Sequence, residues 1–385
     1  MNGFGFELLK TDGVARLGRL RTGHGVIDTP AFMPVATQGT VKGLTPADLS
    51  AAGAQIVLAN TYHLFLRPGH EVVRELGGLH RMMGWDGPIL TDSGGFQVWS
   101  LARFRKIGEQ GVEFRSHVDG SLRLLSPERC VEIQHALGAD IIHPLDECLG
   151  HPASLSSTED SLGLTGRWLL RCVAAHRAAG NGKALFGIVQ GGVYESLRRR
   201  AVEATCALGL DGYAIGGLAV GEPKPVMYAL TALCAGLLPG DRPRYLMGVG
   251  KPVDLVESVA RGIDLFDCVM PTRNARHGQA FTPDGPLAIA RGRYLRDPAP
   301  LDQDCACEAC RGFSRAYLRH LFVARELLAY RLLSIHNITF YLTLMARLRA
   351  AIAEGTFAAF RTRFLARYGV ESVGDSTDSP ECSEA

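Results

Sequence analysis

The segment Gly262-Ile-Asp-Leu-Phe-Asp267-Cys-Val-Met-Pro-Thr-Arg273-Asn-Ala-Arg276-His-Gly278 joins an apolar strand to a cationic loop. Ile263–Phe266 predicts the strand, Asp267 stands at its end, and Arg273 and Arg276 follow within ten residues. A carboxylate at the carboxyl end of a strand, with guanidinium groups behind it, suits chemistry on an anionic substrate. The ordinary alternative is an Asp that only caps a turn, followed by solvated arginines.

Seven other short apolar runs have the same form, each followed by turn residues and a helical pattern. In chain order the eight predicted strands are Ala31–Val35, Gln55–Ala59, Pro88–Leu90, Asp140–His143, Leu185–Val189, Tyr213–Ile215, Arg244–Met247 and Ile263–Phe266. Strands that alternate with helices favour a parallel sheet, and eight such units predict a (β/α)8 barrel of the TIM type in the α/β class.

Two segments depart from this alternation. Val112–Ser116 and Ser121–Leu125 flank Val118-Asp119-Gly120, and an Asp-Gly pair between extended runs predicts a hairpin on the barrel rim over about residues 110–125. Beyond residue 290 the pattern becomes helical, with one helix expected from Ser314 to about Leu333 and another from about Thr339 to Ile352. We therefore expect a catalytic barrel over residues 1–290 and a helical subdomain packed on it over residues 291–370.

The charge of the chain is unevenly distributed. The sequence has 41 Lys and Arg against 39 Asp and Glu, and residues 371–385 contain five of these acids and no base. Such a segment predicts a disordered acidic tail, and the remaining net basic body is compatible with a polyanionic partner. The first ten residues lack a secretory pattern, and no apolar run approaches the roughly eighteen residues of a membrane helix, so we expect a cytoplasmic protein without membrane contact.

Three of the ten cysteines form a close cluster, Cys305-x-Cys307-x₂-Cys310, and His336 follows 26 residues later. In a reducing compartment such a cluster indicates metal before disulfide. Three thiolates and one imidazole complete a tetrahedral zinc site, and a closed shell of this kind is structural, with one Zn²⁺ per chain. His320 is the competing fourth ligand, and three reduced thiols beside a packed histidine are the alternative to a metal site.

Polar residues and glycines follow six of the predicted strands. They are Thr91–Gln97, Asp146–Cys148, Gln190–Gly192, Gly216–Leu218, Gly248–Gly250 and Asp267. Loops after the strands of a barrel converge above its mouth, so these residues should form one pocket. Asp146 and Gln190 suit the edges of a planar heterocycle, Phe96 suits its face, and glycines permit close approach of the backbone, which together favour a purine-like base.

Asp92 and Asp267 add the two carboxylates that substitution at an anomeric carbon requires. One serves as the nucleophile that forms a covalent sugar intermediate, and the other moves protons as acid and base. The bond attacked would then be glycosidic. Taken singly, each of these residues has an ordinary explanation as a capping Asp or a turn Gly.

Several of these motifs together resemble one family. They are Thr91-Asp92-Ser93-Gly94-Gly95-Phe96-Gln97, Asp146-Glu147-Cys148, Gln190-Gly191-Gly192, Gly216–Glu222, Phe266-Asp267-Cys268 and the Cys305/Cys307/Cys310/His336 set. Over about residues 5–370 the chain resembles the queuine tRNA-ribosyltransferases, or tRNA-guanine transglycosylases, and Cys148 is typical of the bacterial branch. The resemblance implies that guanine at the wobble position of tRNAs with GUN anticodons (Asp, Asn, His, Tyr) is exchanged for 7-aminomethyl-7-deazaguanine through a covalent enzyme–ribosyl-tRNA intermediate.

The resemblance also implies a role for each matched residue, with Asp267 as nucleophile and Asp92 as general acid/base. The base would be bound by Asp92, Ser93, Gly94, Gly95, Phe96, Asp146, Cys148, Gln190, Gly217, Leu218 and Met247. The RNA would be bound by Gly248, Val249, Gly250, Lys251, Pro252, Val253, Asp254, Thr272, Arg273, Asn274, Ala275 and Arg276. A homodimer through the zinc subdomain is also implied, with Phe313, Tyr317 and His320 in its aromatic interface.

Two other functions use part of the same pattern. A non-catalytic RNA-binding subunit of this superfamily would be expected to lose the nucleophile, whereas Asp92 and Asp267 are both present. A barrel glycosidase would use paired carboxylates, but it gives no reason for the cysteine cluster or for Arg273 and Arg276.

Overall fold

The computed structural model describes residues 3–95 and 105–369. Phe96, predicted to stack on the base, and the predicted acidic tail over residues 371–385 lie outside the described residues. The strands are β1 (Gly5–Asp12), β2 (Ala15–Thr22), β3 (Gly25–Thr29), β4 (Ala31–Ala36), β5 (Val57–Ala59), β6 (Ile89–Thr91), β7 (Arg105–Gly108), β8 (Gly111–Arg115), β9 (Leu122–Leu125), β10 (Ile141–Ile142), β11 (Ala184–Val189), β12 (Gly212–Ile215), β13 (Arg244–Leu246), β14 (Leu265–Cys268), β15 (Gln279–Thr282) and β16 (Gly285–Ala288).

The helices of the described residues are numbered in chain order. They are α1 (Pro46–Ala51), α2 (Thr61–Leu66), α3 (His70–Glu75), α4 (Gly78–Met83), α5 (Pro127–Leu137), α6 (Leu155–Ala179), α7 (Glu195–Cys206), α8 (Lys224–Leu237), α9 (Pro252–Val259), α10 (Met270–Arg276), α11 (Glu308–Gly312), α12 (Arg315–Val323), α13 (Leu327–Glu354) and α14 (Phe357–Tyr368). A short 3₁₀ turn covers Gly292–Tyr294.

Eight parallel strands close into a barrel in the order β4-β5-β6-β10-β11-β12-β13-β14, and β14 pairs back with β4. Each contains or overlaps one of the eight predicted strands, so the predicted barrel is confirmed. The last strand differs at its end, because Asp267 pairs with Met33 and Cys268 with Pro34. Asp267 therefore lies inside β14 rather than after it.

The predicted rim hairpin is confirmed as the antiparallel pair β8–β9, with Val112 opposite Leu125. A third strand, β7, pairs with β8 and widens the hairpin into a three-stranded sheet that the sequence pattern did not predict.

A second antiparallel sheet, β1-β2-β3, was also not predicted. Its Leu20 and Ile27 are fully buried and pack with the interior residues of the barrel. The amide of Asp28 donates to Oε1 of Gln55, just before β5. The sheet therefore covers the end of the barrel where the parallel strands begin.

Local capping explains why α5 follows the rim sheet directly. The hydroxyl of Ser126 accepts a hydrogen bond from the amide of Arg129, Pro127 opens the helix, and Gly138 ends it with a φ of 84°. This is the helix that the Ser-Pro pair and Gly138 predict.

The predicted helix boundaries after residue 313 are wrong. The first helix, α12, ends at Val323, and Arg325 takes a φ of 60° before α13 begins at Leu327. The long helix α13 then continues through His336, where the sequence pattern suggested a break. Polar side chains do not interrupt α13 because they form hydrogen bonds to neighbouring elements. The side chain of Asn337 accepts a hydrogen bond from the amide of Phe281 and donates one to the carbonyl of Pro271.

Helix α13 holds the C-terminal region against the barrel. It packs on α10, β4 and β15, and Phe32 of β4 contacts Tyr341 with ring centroids 4.8 Å apart. None of the helices that the structure describes is long and apolar enough to cross a membrane.

Candidate active site

Asp92 follows β6 at the barrel mouth and is held by the start of α2. The Thr61 amide donates to its Oδ1 at 2.9 Å, and the Asn60 side-chain amide donates to its Oδ2. Burial raises the pKa of this carboxyl, and the negative charges of Asp267 and Asp146 add to the effect, so the pKa reaches about 7 despite the opposing amides. Asp92 therefore keeps its proton to near neutral pH, as a general acid requires.

Asp267 is placed by strand β13 and the turn after it. The Tyr245 hydroxyl donates to Oδ1 of Asp267 at 2.6 Å, and the Gly248 amide donates to the same oxygen at 2.7 Å. Burial raises the pKa of Asp267, while these two donors oppose the rise by stabilising its charge. A fixed, partly desolvated carboxylate of this kind suits a nucleophile.

A third carboxylate, Asp146, lies deeper in a closed hydrogen-bond network. The Ser93 hydroxyl donates to its Oδ1 and the Gln190 amide donates to its Oδ2, both at 2.7 Å. All three side chains are buried. Burial also raises the pKa of Asp146. The donations fix the orientation of the Gln190 amide, so its oxygen is available to a ligand donor.

Three glycines are required by the close packing around this network. Gly217 has a φ of 62°, and a Cβ there would collide with Oε1 of Gln190. A Cβ at Gly216 would lie 2.7 Å from Nε2 of Gln190, and one at Gly95 would collide with the backbone oxygen of Asp146. The pocket walls therefore consist of backbone at these points.

Arg198, which sequence analysis missed, joins the two glycine-containing turns. It is fully buried on α7, and its guanidinium donates to the carbonyls of Val189, Gly192, Gly216 and Gly217 at 2.7–3.0 Å. Five donors on one planar group suit several carbonyls at once. Arg198 is the first of three consecutive arginines, and nothing in that run distinguished it from its exposed neighbours.

The other predicted base-contacting residues lie at the same mouth. Cys148 and Leu218 are buried, and Met247 is half-buried at the end of β13. The turn after Leu218 is held by Glu222, which accepts the amides of Ala219 and Val220. Ser93, Gly94 and Gly95 are buried directly after Asp92.

The predicted cationic loop is a short helix, α10, in the structure. Arg273 and Arg276 are three positions apart, so they lie on the same side of the helix, and both are half-buried. Nη1 of Arg276 is buried without a hydrogen-bond partner among the residues that the structure describes. Burial and the neighbouring charge of Arg273 lower the pKa of Arg276. Two adjacent guanidinium groups so placed are suited to an anion.

The rest of the two predicted RNA-contacting segments divides into half-buried and buried positions. Lys251, Val253 and Asn274 are half-buried, as is Gly248, whereas Val249, Gly250, Pro252, Thr272 and Ala275 are buried. Asp254 also faces inward, where it receives hydrogen bonds from Lys224 and Tyr228. These interior residues shape the segments by packing rather than by presenting side chains.

The cysteine cluster and His336 form one compact group. The ligand atoms of Cys305, Cys307, Cys310 and His336 all lie within 4.8 Å of one another. Nε2 of His336 donates to the Phe281 carbonyl at 2.8 Å, which leaves the Nδ1 lone pair directed at the sulfurs, 3.3 Å from Cys310 Sγ. A metal-binding histidine commonly donates a hydrogen bond to a carbonyl from the ring nitrogen that does not bind the metal, as His336 does here, so the group fits a metal ion. His320, the competing ligand, is exposed on α12 and outside the group.

The predicted interface residues are partly exposed. The rings of Phe313 and Tyr317 stack with centroids 5.4 Å apart, and Tyr317 is exposed. Nearby Val323 and Leu327 are also exposed, Leu327 by 82%. An apolar surface of this kind is compatible with a protein partner.

Comparison with known proteins identifies the family of this chain. The sequence pattern of the family described as "Queuine tRNA-ribosyltransferase" matches residues 11–370. Proteins named queuine tRNA-ribosyltransferase from Solidesulfovibrio magneticus and Symbiobacterium thermophilum are 58% and 56% identical to the chain, over 94% of it and over 97% and 91% of their own lengths. One from Nitratidesulfovibrio vulgaris is 54% identical over 96% of the chain and 98% of its own length. The chain therefore belongs to the queuine tRNA-ribosyltransferase family of tRNA-modifying pentosyltransferases.

Proposed function

We propose that this enzyme exchanges guanine at the wobble position of tRNAs with GUN anticodons for 7-aminomethyl-7-deazaguanine, the first step of queuosine incorporation. The observation that carries the proposal is the convergence of Asp92, Asp146 and Asp267 on one barrel mouth. The surroundings of Asp92 suit a general acid, and the donors to Asp267 suit a nucleophile. An anticodon loop is already partly unstacked, which lowers the cost of presenting its base to such a pocket.

The exchange proceeds by two displacements at C1′ of the ribose. A carboxylate oxygen of Asp267 attacks C1′ as the bond from C1′ to N9 of guanine breaks, and Asp92 donates a proton to the leaving base. The incoming base then loses its N9 proton to Asp92, attacks C1′ and releases Asp267. The covalent intermediate keeps the energy of the glycosidic bond, so no further energy source is needed.

Base recognition falls to the buried network. The Gln190 and Asp146 side chains form hydrogen bonds with the polar edge of the base. The backbone at Gly217 and Leu218 lies close to the base. Met247 supplies an apolar contact, the sequence predicts the same role for Phe96, and Cys148 follows Asp146 by two residues. Because a buried donor or acceptor left unpaired costs about 1–3 kcal/mol, this network discriminates against bases with a different edge.

RNA binding falls to α10 and the segment over residues 248–254. Arg273 and Arg276 pair with phosphates of the anticodon loop, and Lys251 adds a third cation. The partly exposed position of the two arginines supports this role, as does Nη1 of Arg276, which has no hydrogen-bond partner within residues 3–95 and 105–369. Such contacts give affinity that falls as salt rises.

The Cys305/Cys307/Cys310/His336 group would hold one Zn²⁺. Four protein ligands close the coordination shell, so the ion supplies structural cross-linking and no chemistry. It would join the loop before α11 to the middle of α13. The exposed Tyr317, Val323 and Leu327 make this subdomain the surface through which two copies of the chain associate.

The test incubates the protein with radiolabelled guanine and an unmodified GUN-anticodon tRNA. Wild type should incorporate label, and Asp267→Asn should incorporate none above background. A tRNA that differs only in carrying adenine at the wobble position is the matched control and should stay unlabelled. Absence of label with wild type, or full incorporation by Asp267→Asn, would refute the mechanism.

The metal and the dimer are tested separately. Purified wild type should contain about one zinc per chain, whereas Cys310→Ser should contain much less, and Cys206→Ser, outside the cluster, should retain it. Sedimentation of wild type should give a dimer that Leu327→Asp weakens, with Leu295→Asp as the control at another exposed leucine.

A further inference from the structure

Two histidines and an aspartate meet at the end of the barrel opposite the proposed active site. Asp140 directly precedes β10, and its carboxylate accepts the amide of Ile89, the first residue of β6. The residues of the proposed active site follow the strands, whereas Asp140 and Ile89 stand where strands begin. The group is thus separate from the base pocket and from the cysteine cluster.

The imidazoles reach the two oxygens of this one carboxylate from different elements. His24 lies in the turn between β2 and β3, and its Nδ1 is 2.7 Å from Oδ1 of Asp140. His80 lies in α4, and its Nε2 is 3.2 Å from Oδ2. The two rings stack with centroids 3.6 Å apart.

We propose that His24, His80 and Asp140 form a second metal site that binds one divalent first-row transition cation. Their ligand atoms lie within 4.8 Å of one another. Bonds of about 2.0–2.2 Å to nitrogen and oxygen place two ligands of one ion up to about 4 Å apart, so small side-chain rotations suffice. Two imidazoles and a carboxylate suit Zn²⁺, Ni²⁺ or Cu²⁺ rather than Mg²⁺ or Ca²⁺.

Burial and exposure are distributed as a binding site with an entry path requires. Asp140 is 8% exposed and anchored by the Ile89 amide, so it is preorganised. The His24 side chain is 43% exposed, so it can turn out of the stack and admit the ion. The positions not filled by protein face solvent and would be taken by water.

Charge sets the expected strength of binding. One carboxylate and two neutral imidazoles leave an excess positive charge when a divalent cation binds. Lys183, whose Nζ donates to the Ala139 carbonyl, interacts electrostatically with Asp140 and weakens the attraction. We therefore expect a site weaker than the four-ligand cysteine cluster, with a dissociation constant on the order of micromolar for Zn²⁺.

The bound ion would connect three elements that otherwise meet through hydrogen bonds and packing. It would join the β2–β3 turn, α4 and the start of β10, which together close this end of the barrel. Binding to the folded chain alone raises the midpoint of thermal unfolding in proportion to the logarithm of metal concentration. The role is stabilisation of the N-terminal sheet on the barrel.

The test counts metal in the full-length, zinc-loaded protein. Equilibrium dialysis should give two zinc ions per chain for wild type at Zn²⁺ concentrations of about 1–100 µM, a range that brackets the expected dissociation constant. His24→Ala should retain one, with at least about tenfold weaker binding of the second, and His80→Ala should behave alike. His176→Ala is the matched control, because His176 also contacts another imidazole, that of His135, at 3.0 Å but has no place in the group of three.

A second measurement does not depend on stoichiometry. Added Zn²⁺ should raise the thermal midpoint of wild type and His176→Ala but not that of His24→Ala, in which the altered side chain is 43% exposed. A wild-type count that stays at one, or a second equivalent bound equally by wild type and His24→Ala, would overturn the proposal. So would loss of the second equivalent in His176→Ala, because it would show scattered surface binding.

Discussion

The hydroxyl of Tyr245 donates a 2.6 Å hydrogen bond to Oδ1 of Asp267, one strand away in the barrel. The Gly248 amide shares the same oxygen. The charge of the proposed nucleophile is therefore stabilised from one side, by groups that the preceding strand positions. The relationship links the barrel register to the ionisation of the residue that we propose as the nucleophile.

Removal of the Tyr245 hydroxyl should move the acidic limb of the pH profile of activity to higher pH. Burial raises the pKa of Asp267 and Tyr245 opposes the rise, so Tyr245→Phe raises that pKa further, and the nucleophile becomes protonated at higher pH. We expect a shift of about one pH unit in kcat/KM for guanine incorporation, as the loss of one charged hydrogen bond implies. Tyr194→Phe, which removes a hydroxyl bonded to the Ala153 carbonyl, is the control and should leave the limb in place.

Ionisation of Asp92 should determine how activity falls at high pH, the basic limb of the pH profile of kcat/KM. Its pKa is raised to about 7, so the proton needed by the leaving base is present below pH 7 and is lost above it. We expect kcat/KM to fall about tenfold per pH unit above that value in wild type. Asp92→Asn should lower the rate about 10²–10⁴-fold and abolish the limb. A basic limb that persists unchanged in Asp92→Asn would assign the proton transfer to another group.

Asp267→Asn should stabilise the fold while it removes activity. The Asn oxygen still accepts from Tyr245 and Gly248, but the buried charge is gone. Because the folded-state pKa of Asp267 is raised, wild type bears the cost of the buried charge above that pKa, and the cost disappears toward the ordinary value of 3.8. We expect a thermal midpoint about 1–3 °C higher than wild type at pH 8, with a difference that shrinks as the pH falls toward 3.8. Equal midpoints at pH 8 would contradict the assigned burial.

Arg198 should matter for both stability and base binding. Arg198→Met leaves the carbonyls of Gly216 and Gly217 without their buried donor, so we expect a loss of about 3–5 kcal/mol in the free energy of unfolding. Surviving enzyme should show a higher KM for guanine, because the backbone at Gly217 is part of the proposed base pocket. Arg199→Met, which removes an exposed pair with Glu195, should cost about 0.5 kcal/mol or less in urea titration.

Substitution of Arg276 should weaken binding of tRNA and leave binding of the base unchanged. Arg276→Ala removes one proposed phosphate contact, so we expect a higher KM for tRNA, an unchanged KM for guanine, and a salt slope of log K smaller by about 0.7. Arg81→Ala, on α4 near the other end of the barrel, is the control for loss of one exposed positive charge. An equal effect of both variants would indicate only a general charge contribution.

Local patterns predicted the parts of this protein that neighbouring residues determine. The eight short apolar runs predicted the barrel strands, Ser126 and Pro127 predicted the start of α5, and Asp119-Gly120 predicted the rim hairpin. Each depends on side-chain periodicity, capping or turn chemistry within a few residues. The same locality explains the wrong boundaries of α12 and α13, because His336 and Asn337 stay helical only through bonds to distant β15 and α10.

Periodicity and motif are enough to predict the barrel, the order in which Asp92, Asp146 and Asp267 reach its mouth, and the spacing of the Cys₃His group. Only the packed barrel shows that Asp267 lies within β14, that Arg198 rather than Arg199 is buried, and that His24, His80 and Asp140 meet. Those outcomes depend on barrel closure, which brings residues more than a hundred positions apart within hydrogen-bond distance. No local pattern encodes that approach, because burial and charge there are properties of several packed elements at once.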